Sequence, residues 1–447
     1  AYAGFAAAYP DDQFAGEALY RAALARDKMG DAKGADEILQ GLLAKEGVSS
    51  AMRLRTLAMV GGRYLEDRRY DQARPLLEEL AAGERTAANL TMAGEAELGS
   101  GDYAGAARNL DAALVMQGVD SCRALSLRAK TSMRLKDTGR FDRDTQWLAA
   151  RCSQWKGLGG VLLEKGKMDA EEGRCDQAAA TLGELAKKFP GSQEAVEALF
   201  YLALCDLKRG GYKEASDKLE TFIASAPASP ILPQAYFKLA SADFGAGNLN
   251  LAAKYYALAA ESSNDPELAF TAWKNLGSIY QQLEKWDLAA STWQKLAETY
   301  PERDGIVEVL FDLGFCYNQQ GKNELAYDVY SRIPDVTASE EQQGRAHYWA
   351  GMSLKGLGRY DEAIRELLRV PYLKTGGMWG VTSKLEAASC YELKGDPGQA
   401  RSIYEGVLSA HGPASDWGRV ASEGLKRIDE KGASGATGAG ENPPKKE

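Results

Sequence analysis

The sequence predicts an all-α protein, a solenoid of about eleven stacked antiparallel helix pairs. Three observations lead there. Ala, Leu, Glu and Lys abound while runs of Val, Ile and Thr are scarce, a balance that favours helix throughout. A short phrase recurs as "GRCDQA", "GGYKEA", "GNLNLA", "EKWDLA", "GKNELA", "GRYDEA" and "GDPGQA", and its final alanines, Ala178, Ala215, Ala252, Ala289, Ala326, Ala363 and Ala400, each lie 37 residues after the last. Equal intervals of that length are the mark of stacked repeats, none of which can bury its apolar face alone. Before and after each phrase, apolar residues recur at helical spacing, as in "AWKNLGSIYQQL" and "LAASTWQKLAETYP".

Each part of the phrase has a physical task. Glycine ends one helix in the left-handed conformation, an aromatic or apolar residue packs at the turn, and the alanine lets the next helix come close. Taken in order, residues 1–10 ("AYAGFAAAYP") read as the closing stretch of a second helix whose first helix is missing, which suggests a trimmed or mature chain. Residues 11–155 hold less regular copies, "GDAKGA" ending at Ala35, "RRYDQA" at Ala73, "GDYAGA" at Ala106 and a degenerate "GRFDRD" at Asp144. Residues 156–413 carry the 37-residue copies, 414–431 a capping helix, and 432–447 a small, polar, Pro-containing tail expected to be disordered.

Composition narrows the function. A formal net charge of -9 argues against nucleic acid, which calls for clustered Lys and Arg. No apolar run approaches the roughly 18 residues of a membrane-crossing helix. The two histidines make poor catalysts: His347 falls in the slot that Trp273 fills two repeats earlier, and His411 lies in a turn beside Gly412 and Pro413. "GGVLLEKGKM" fails the glycine spacing of a phosphate loop and ends in Met where Ser or Thr is required. Glu171 and Glu172 read as a solvated helix face. No catalytic, cofactor-binding or metal-ligating residue is assigned, and no enzyme activity is expected.

Of the six cysteines, Cys205, Cys316 and Cys390 share a slot five residues before the turn glycine, a packed position that suits a small hydrophobe. Cys122 precedes a first helix and Cys152 ends its second, so an antiparallel hairpin brings the two ends together. Cys175 opens a second helix, and Cys205 lies near the end of the following first helix. The pairs Cys122–Cys152 and Cys175–Cys205 are therefore expected to bond, in an oxidising compartment. The alternative is four reduced, partly buried thiols in the cytosol.

At Trp273, Leu276, Gly277, Tyr280, Ala289, Trp293 and Pro301 the sequence resembles the tetratricopeptide repeat family, with a unit longer than the family's usual ~34 residues. The resemblance covers nearly the whole chain and implies a right-handed superhelix, no cofactor, and protein or peptide partners held on the concave first-helix face. On these helices Phe200, Phe237, Phe311, Tyr348 and Leu385 recur at one offset, with Lys274 between them. One turn on lie Leu204, Phe315 and Met352, and beyond them Phe244. Leu199, Leu202, Leu239, Leu276 and Leu313 fill the core-facing slots, so this stripe is either a partner groove (Phe200, Leu204, Phe237, Phe244, Phe311, Phe315, Tyr348, Met352) or second-flank packing. The spacing and the aromatic-Pro helix endings resemble bacterial envelope members of the family, of the barrel-assembly lipoprotein and Tol–Pal coordinator type. That resemblance implies a periplasmic scaffold, with any peripheral or lipid-anchored attachment made through residues before Ala1. A cytoplasmic adaptor or co-chaperone, or an accessory arm of a cell-wall enzyme, are the alternatives.

Overall fold

The computed structural model describes residues 1–370 and 377–437; six of the residues at the expected tail, 432–437, are helical, and the rest of it, 438–447, lies outside the described residues. Among the described residues every regular element is a helix. Contacts divide the chain into two units, Ala1–Arg209 and Gly210–Glu447. The first holds α1 (Tyr2–Ala8), the pairs α2 (Ala15–Lys28) and α3 (Ala32–Ala44), α4 (Ser50–Glu66) and α5 (Tyr70–Gly83), α6 (Ala87–Ser100) and α7 (Tyr103–Leu114), α8 (Ser121–Arg134) and α9 (Thr138–Arg151), α10 (Leu158–Glu171) and α11 (Cys175–Lys188), and α12 (Gln193–Lys208). The second holds α13 (Tyr212–Ser225), the pairs α14 (Leu232–Gly245) and α15 (Leu249–Ser262), α16 (Pro266–Gln282) and α17 (Trp286–Thr299), α18 (Ile306–Gln319) and α19 (Asn323–Val336), α20 (Glu340–Gly356) and α21 (Tyr360–Arg369), α22 (Gly377–Lys394) and α23 (Pro397–His411), and α24 (Asp416–Thr437). The closing helix thus continues past Lys431, where the sequence puts its end. The unit boundary does not fall at residue 155, where the repeat spacing changes. There Lys165 of α10 reaches back to Asp142 of α9 (2.9 Å), tying the first regular pair to the irregular ones.

Within a pair, a small residue of the first helix faces a large one sixteen positions later on the second. Gly277 sits against Trp293, Gly314 against Tyr330 and Gly351 against Leu367; a Cβ added at Gly277 would stand 2.6 Å from Trp293 Cε2. Trp293 and Leu367 are fully buried and Tyr330 nearly so. The close approach of the two backbones is set by this size complementarity, because dense interiors leave no room for both partners to be large.

The turns inside the pairs explain why some phrases lack glycine. Counting the turn from α12 to α13, eight of these turns have a left-handed glycine, among them Gly247 (φ 82°) and Gly321 (φ 70°), while Arg68 (φ 58°), Lys136 (φ 59°) and Glu284 (φ 55°) adopt the same conformation in the other three. Lys136 also corrects the reading of the degenerate copy. Its phrase is "KDTGRF", three residues earlier than "GRFDRD": Asp137 caps α9 by accepting from the Arg140 N–H (3.0 Å), and buried Phe141 occupies the alanine slot. Phe141 lies 37 residues before Ala178, so the regular period begins one repeat sooner than the glycines suggest. Asp144 is instead a buried carboxylate that accepts from Arg128 through both oxygens, at 2.9 and 2.6 Å.

The Cα atoms of Cys122 and Cys152 are 5.8 Å apart and those of Cys175 and Cys205 5.3 Å, both within the span of a disulfide. The first pair joins the start of α8 to the end of α9, the second the start of α11 to the last turns of α12. Cys316 and Cys390 are buried and unpaired, and burial pushes each thiol up to about 11, which leaves them protonated and inert.

Candidate functional site

Two stacked neighbours squeeze each first helix from both sides, and this decides the fate of the aromatic stripe. Phe200 (6% exposed) and Phe311 (3%) are core residues, more buried than Leu199 and Leu202, which the sequence assigned to the core. The stripe is therefore not additional to packing at these two positions. In the first unit Phe200 lies edge-on to Tyr201 (5.2 Å) with Leu204 half-buried. In the second, Phe237 is half-buried against Tyr256 (5.2 Å), and Tyr348 packs edge-on to Trp349 (5.2 Å), with Met352 half-buried. Phe244 (44% exposed) and Phe315 (38%) are the stripe members that face solvent.

Around Phe315 the second unit forms a concavity of about 440 Å³, lined by Gln281, Gln282, Trp286, Phe311, Asp312, Phe315, Tyr330, Arg345 and Trp349. Three first helices, α16, α18 and α20, supply most of it, with Trp286 from the first position of α17 and Tyr330 from α19. Trp286 meets Phe315 edge-on at 5.8 Å, and Tyr330 stacks on Trp349 at 6.4 Å. Arg345 lies 3.8 Å over the Phe311 ring and bonds Glu308 (2.9 Å), so its charge is held by an acid and a π-face. Asp312 accepts from Gln281 Nε2 at 3.3 Å, and burial pushes its carboxyl above the usual range, with Gln281 opposing.

Sequence reasoning found Phe311 and Phe315 here but missed Trp286, Tyr330, Asp312, Arg345 and Trp349. Trp286 occupies the turn-aromatic slot of its phrase, so the pattern alone assigns it to turn packing. Asp312 and Arg345 carry little periodic signal, since the adjacent repeats have Asn275 and Trp349 at the first offset and Glu308 and Thr382 at the second. The sequence could have flagged only Trp349, as a second aromatic beside Tyr348.

Other clusters resolve into structure. His347 Nδ1 bonds Glu366 Oε2 at 2.8 Å, both largely buried, which accounts for it as packing. Carboxylate oxygens of Glu78, Glu97 and Asp102 lie within 4.8 Å of one another. Arg74 already spans Glu78 (2.6 Å) and Asp102 (2.8 Å), and Asn109 donates to both Glu97 oxygens at 2.9 Å. In the first unit Lys165 and Arg174 neutralise fully buried Asp169. No helix among the described residues is long and apolar enough to cross a membrane.

Comparison with curated proteins finds no match. Among solved structures, the C-terminal part of a TPR repeat-containing protein from Cytophaga hutchinsonii is 15% identical, covering 59% of this chain and 99% of its own, with a TM-score of 0.44. PilF of Pseudomonas aeruginosa is 16% identical over 51% of this chain and 97% of its own (TM-score 0.33). YrrB, described as a TPR protein with an unusual peptide-binding site, is 14% identical over 45% of this chain and 97% of its own (TM-score 0.36). Tetratricopeptide repeat families match residues 17–46, 163–230, 237–304 and 344–370. These matches lie in both units, and the stretches they cover are tetratricopeptide repeats.

Proposed function

We propose that the protein is a non-enzymatic scaffold that holds protein partners on the first-helix face of its second unit, in the bacterial cell envelope. The observation that carries the docking reading is the concavity around Phe315: tryptophan and phenylalanine rings stand partly open to solvent beside a carboxylate, where a core would have closed over them. Amphipathic aromatic surface of this kind is typical of the centre of protein interfaces. The family supplies the general role, gripping peptides and proteins with stacked helix pairs.

The envelope reading rests on the two cysteine pairs at bonding distance, since disulfides persist in oxidising compartments. Intact mass after alkylation without reductant tests it. Two modified thiols, Cys316 and Cys390 once unfolded, support an extracytoplasmic site; six would move the protein to a reducing compartment and to the adaptor role.

Docking is tested by placing a photo-crosslinking amino acid at position 315, with position 288 on the exposed face of α17 as control. Partners captured in the native host from 315 and not from 288 support the reading. Equal capture from both, or capture unchanged by Trp349→Ser in the same chain, refutes it.

A further inference from the structure

The concavity between α16, α18 and α20 holds two charged groups, Arg345 and Asp312, and only Arg345 has an ion-pair partner among the described residues. Arg345 is committed to Glu308 (2.9 Å) and to the face of Phe311 (3.8 Å). That leaves Asp312, whose Oδ1 takes a single long hydrogen bond from the neutral Gln281 amide (3.3 Å) and whose other oxygen accepts none from a described residue. Lys274, two turns before Gln281 on α16, makes no ion pair with it. Burial raises the proton affinity of this carboxylate and outweighs Arg345 and Lys274, which act on it through space to lower it; neither is in ion-pair contact with it. The surrounding walls are rings. Trp286 and Trp349 are half-buried, and Phe315 is 38% exposed. Ring faces attract cations, most strongly where water is partly excluded, and repel anions by the same quadrupole.

We propose that this cavity receives a basic side chain, Arg or Lys, from an extended segment of a partner protein, with Asp312 as its counter-charge and Trp286, Phe315 and Trp349 as its walls; the inference rests on the docking reading above. The volume of about 440 Å³ exceeds a single guanidinium and its stem, leaving space for the flanking backbone to lie along the helices. An acidic side chain would meet the like charge of Asp312 while Arg345 is already held by Glu308, and an aliphatic one would leave Asp312 unpaired in a drier site.

The test uses the whole chain labelled with ¹⁵N-tryptophan, its indole signals assigned with Trp286→Phe and Trp349→Phe. The probes are three acetylated, amidated peptides of the form Gly-Ser-X-Ser-Gly, with Arg, Leu or Glu at X. The Arg peptide is expected to shift the indoles of Trp286 and Trp349 saturably, at least tenfold more tightly than the Glu peptide. Asp312→Asn, nearly isosteric and freed of a desolvated charge, is expected to keep the fold and weaken the Arg peptide about tenfold. Unchanged Arg affinity in Asp312→Asn overturns the inference. So does a Leu peptide that binds as tightly as the Arg peptide, although it leaves docking at this face standing. If no peptide moves either indole, the cation site falls; the fate of the docking reading is then decided separately by crosslinking from position 315.

Discussion

Glu284 sits at φ 55° in the turn between α16 and α17, a conformation that eight equivalent turns give to glycine. Its side chain is exposed and makes no hydrogen bond or ion pair with a described residue, so nothing there offsets the backbone strain. A left-handed non-glycine residue costs about 1–2 kcal/mol, from Cβ pressed toward the following carbonyl. Glycine removes that strain but gains conformational freedom in the unfolded chain, returning about 0.5–1 kcal/mol. Glu284→Gly is therefore expected to stabilise the α16–α17 pair by about 0.5–1 kcal/mol. The reciprocal change one repeat on, Gly321→Glu (φ 70°, open space around its Cβ), is expected to destabilise α18–α19 by a similar amount. Because a repeat array unfolds in parts, the assay is native-state hydrogen exchange of amides in α16 and α18, read beside the urea midpoint from tryptophan fluorescence. Protection in α16 should rise two- to five-fold for Glu284→Gly, a factor that ~0.5–1 kcal/mol implies. If Glu284→Gly leaves α16 protection unchanged while Gly321→Glu is tolerated, these turns are not strained and the reasoning fails. Arg68→Gly and Lys136→Gly, in separate repeats, should add to it independently.

The remaining expectations follow from packing, charge and crosslinks. Gly277→Ala gains about 1 kcal/mol of helix propensity, but its new Cβ meets Trp293 at 2.6 Å, so the net change in midpoint should be a loss of about 1–2 kcal/mol. Adding Trp293→Leu should make Gly277→Ala milder than it is alone; strict additivity would disprove the size-matching account. Asp243 is buried with one oxygen lacking any hydrogen bond, and burial raises its carboxyl pKa, with Asn248 opposing. The folded state then binds the proton more tightly than the unfolded chain, so stability falls as pH rises above the unfolded value near ~4. Asp243→Asn should be neutral well below that pH and stabilising by about 1–2 kcal/mol at pH 7; a pH-independent difference in urea midpoint would contradict the assignment. Cys175→Ser with Cys205→Ser opens a loop of 30 residues and should cost about 3–4 kcal/mol in the chain-entropy picture. That loss should show as increased exchange in α11 and α12, with α16 to α19 unaffected.

Much of this was readable in the sequence because stacking imposes a period. Every copy but the one at Phe141 places an alanine where two backbones meet and a turn residue before it, so Ala178 to Ala400 mark the helix pairs without any structure. The degenerate copy was misplaced by three residues because Lys136 takes the left-handed turn that glycine takes elsewhere, and a left-handed lysine has no signature in a string of letters. The stripe from Phe200 to Met352 was visible as a pattern, yet its exposure was not. Phe311 and Phe315, one helical turn apart on α18, look alike in sequence; one is sealed under Tyr330 and Arg345, and the other opens to solvent.

The sequence by itself determined the helices, their pairing and the constant interval, because those depend on local propensity, turn chemistry and residue size repeated in register. It also brought the cysteines of each candidate bridge to adjoining helix ends, since thirty residues of antiparallel hairpin return the chain to its start. Only the tertiary structure decided which aromatic rings face water and which polar groups join them. Asp312, Arg345 and Trp286 come from helices far apart in the chain, and whether a charge is matched or left without a partner depends on neighbours that no period records.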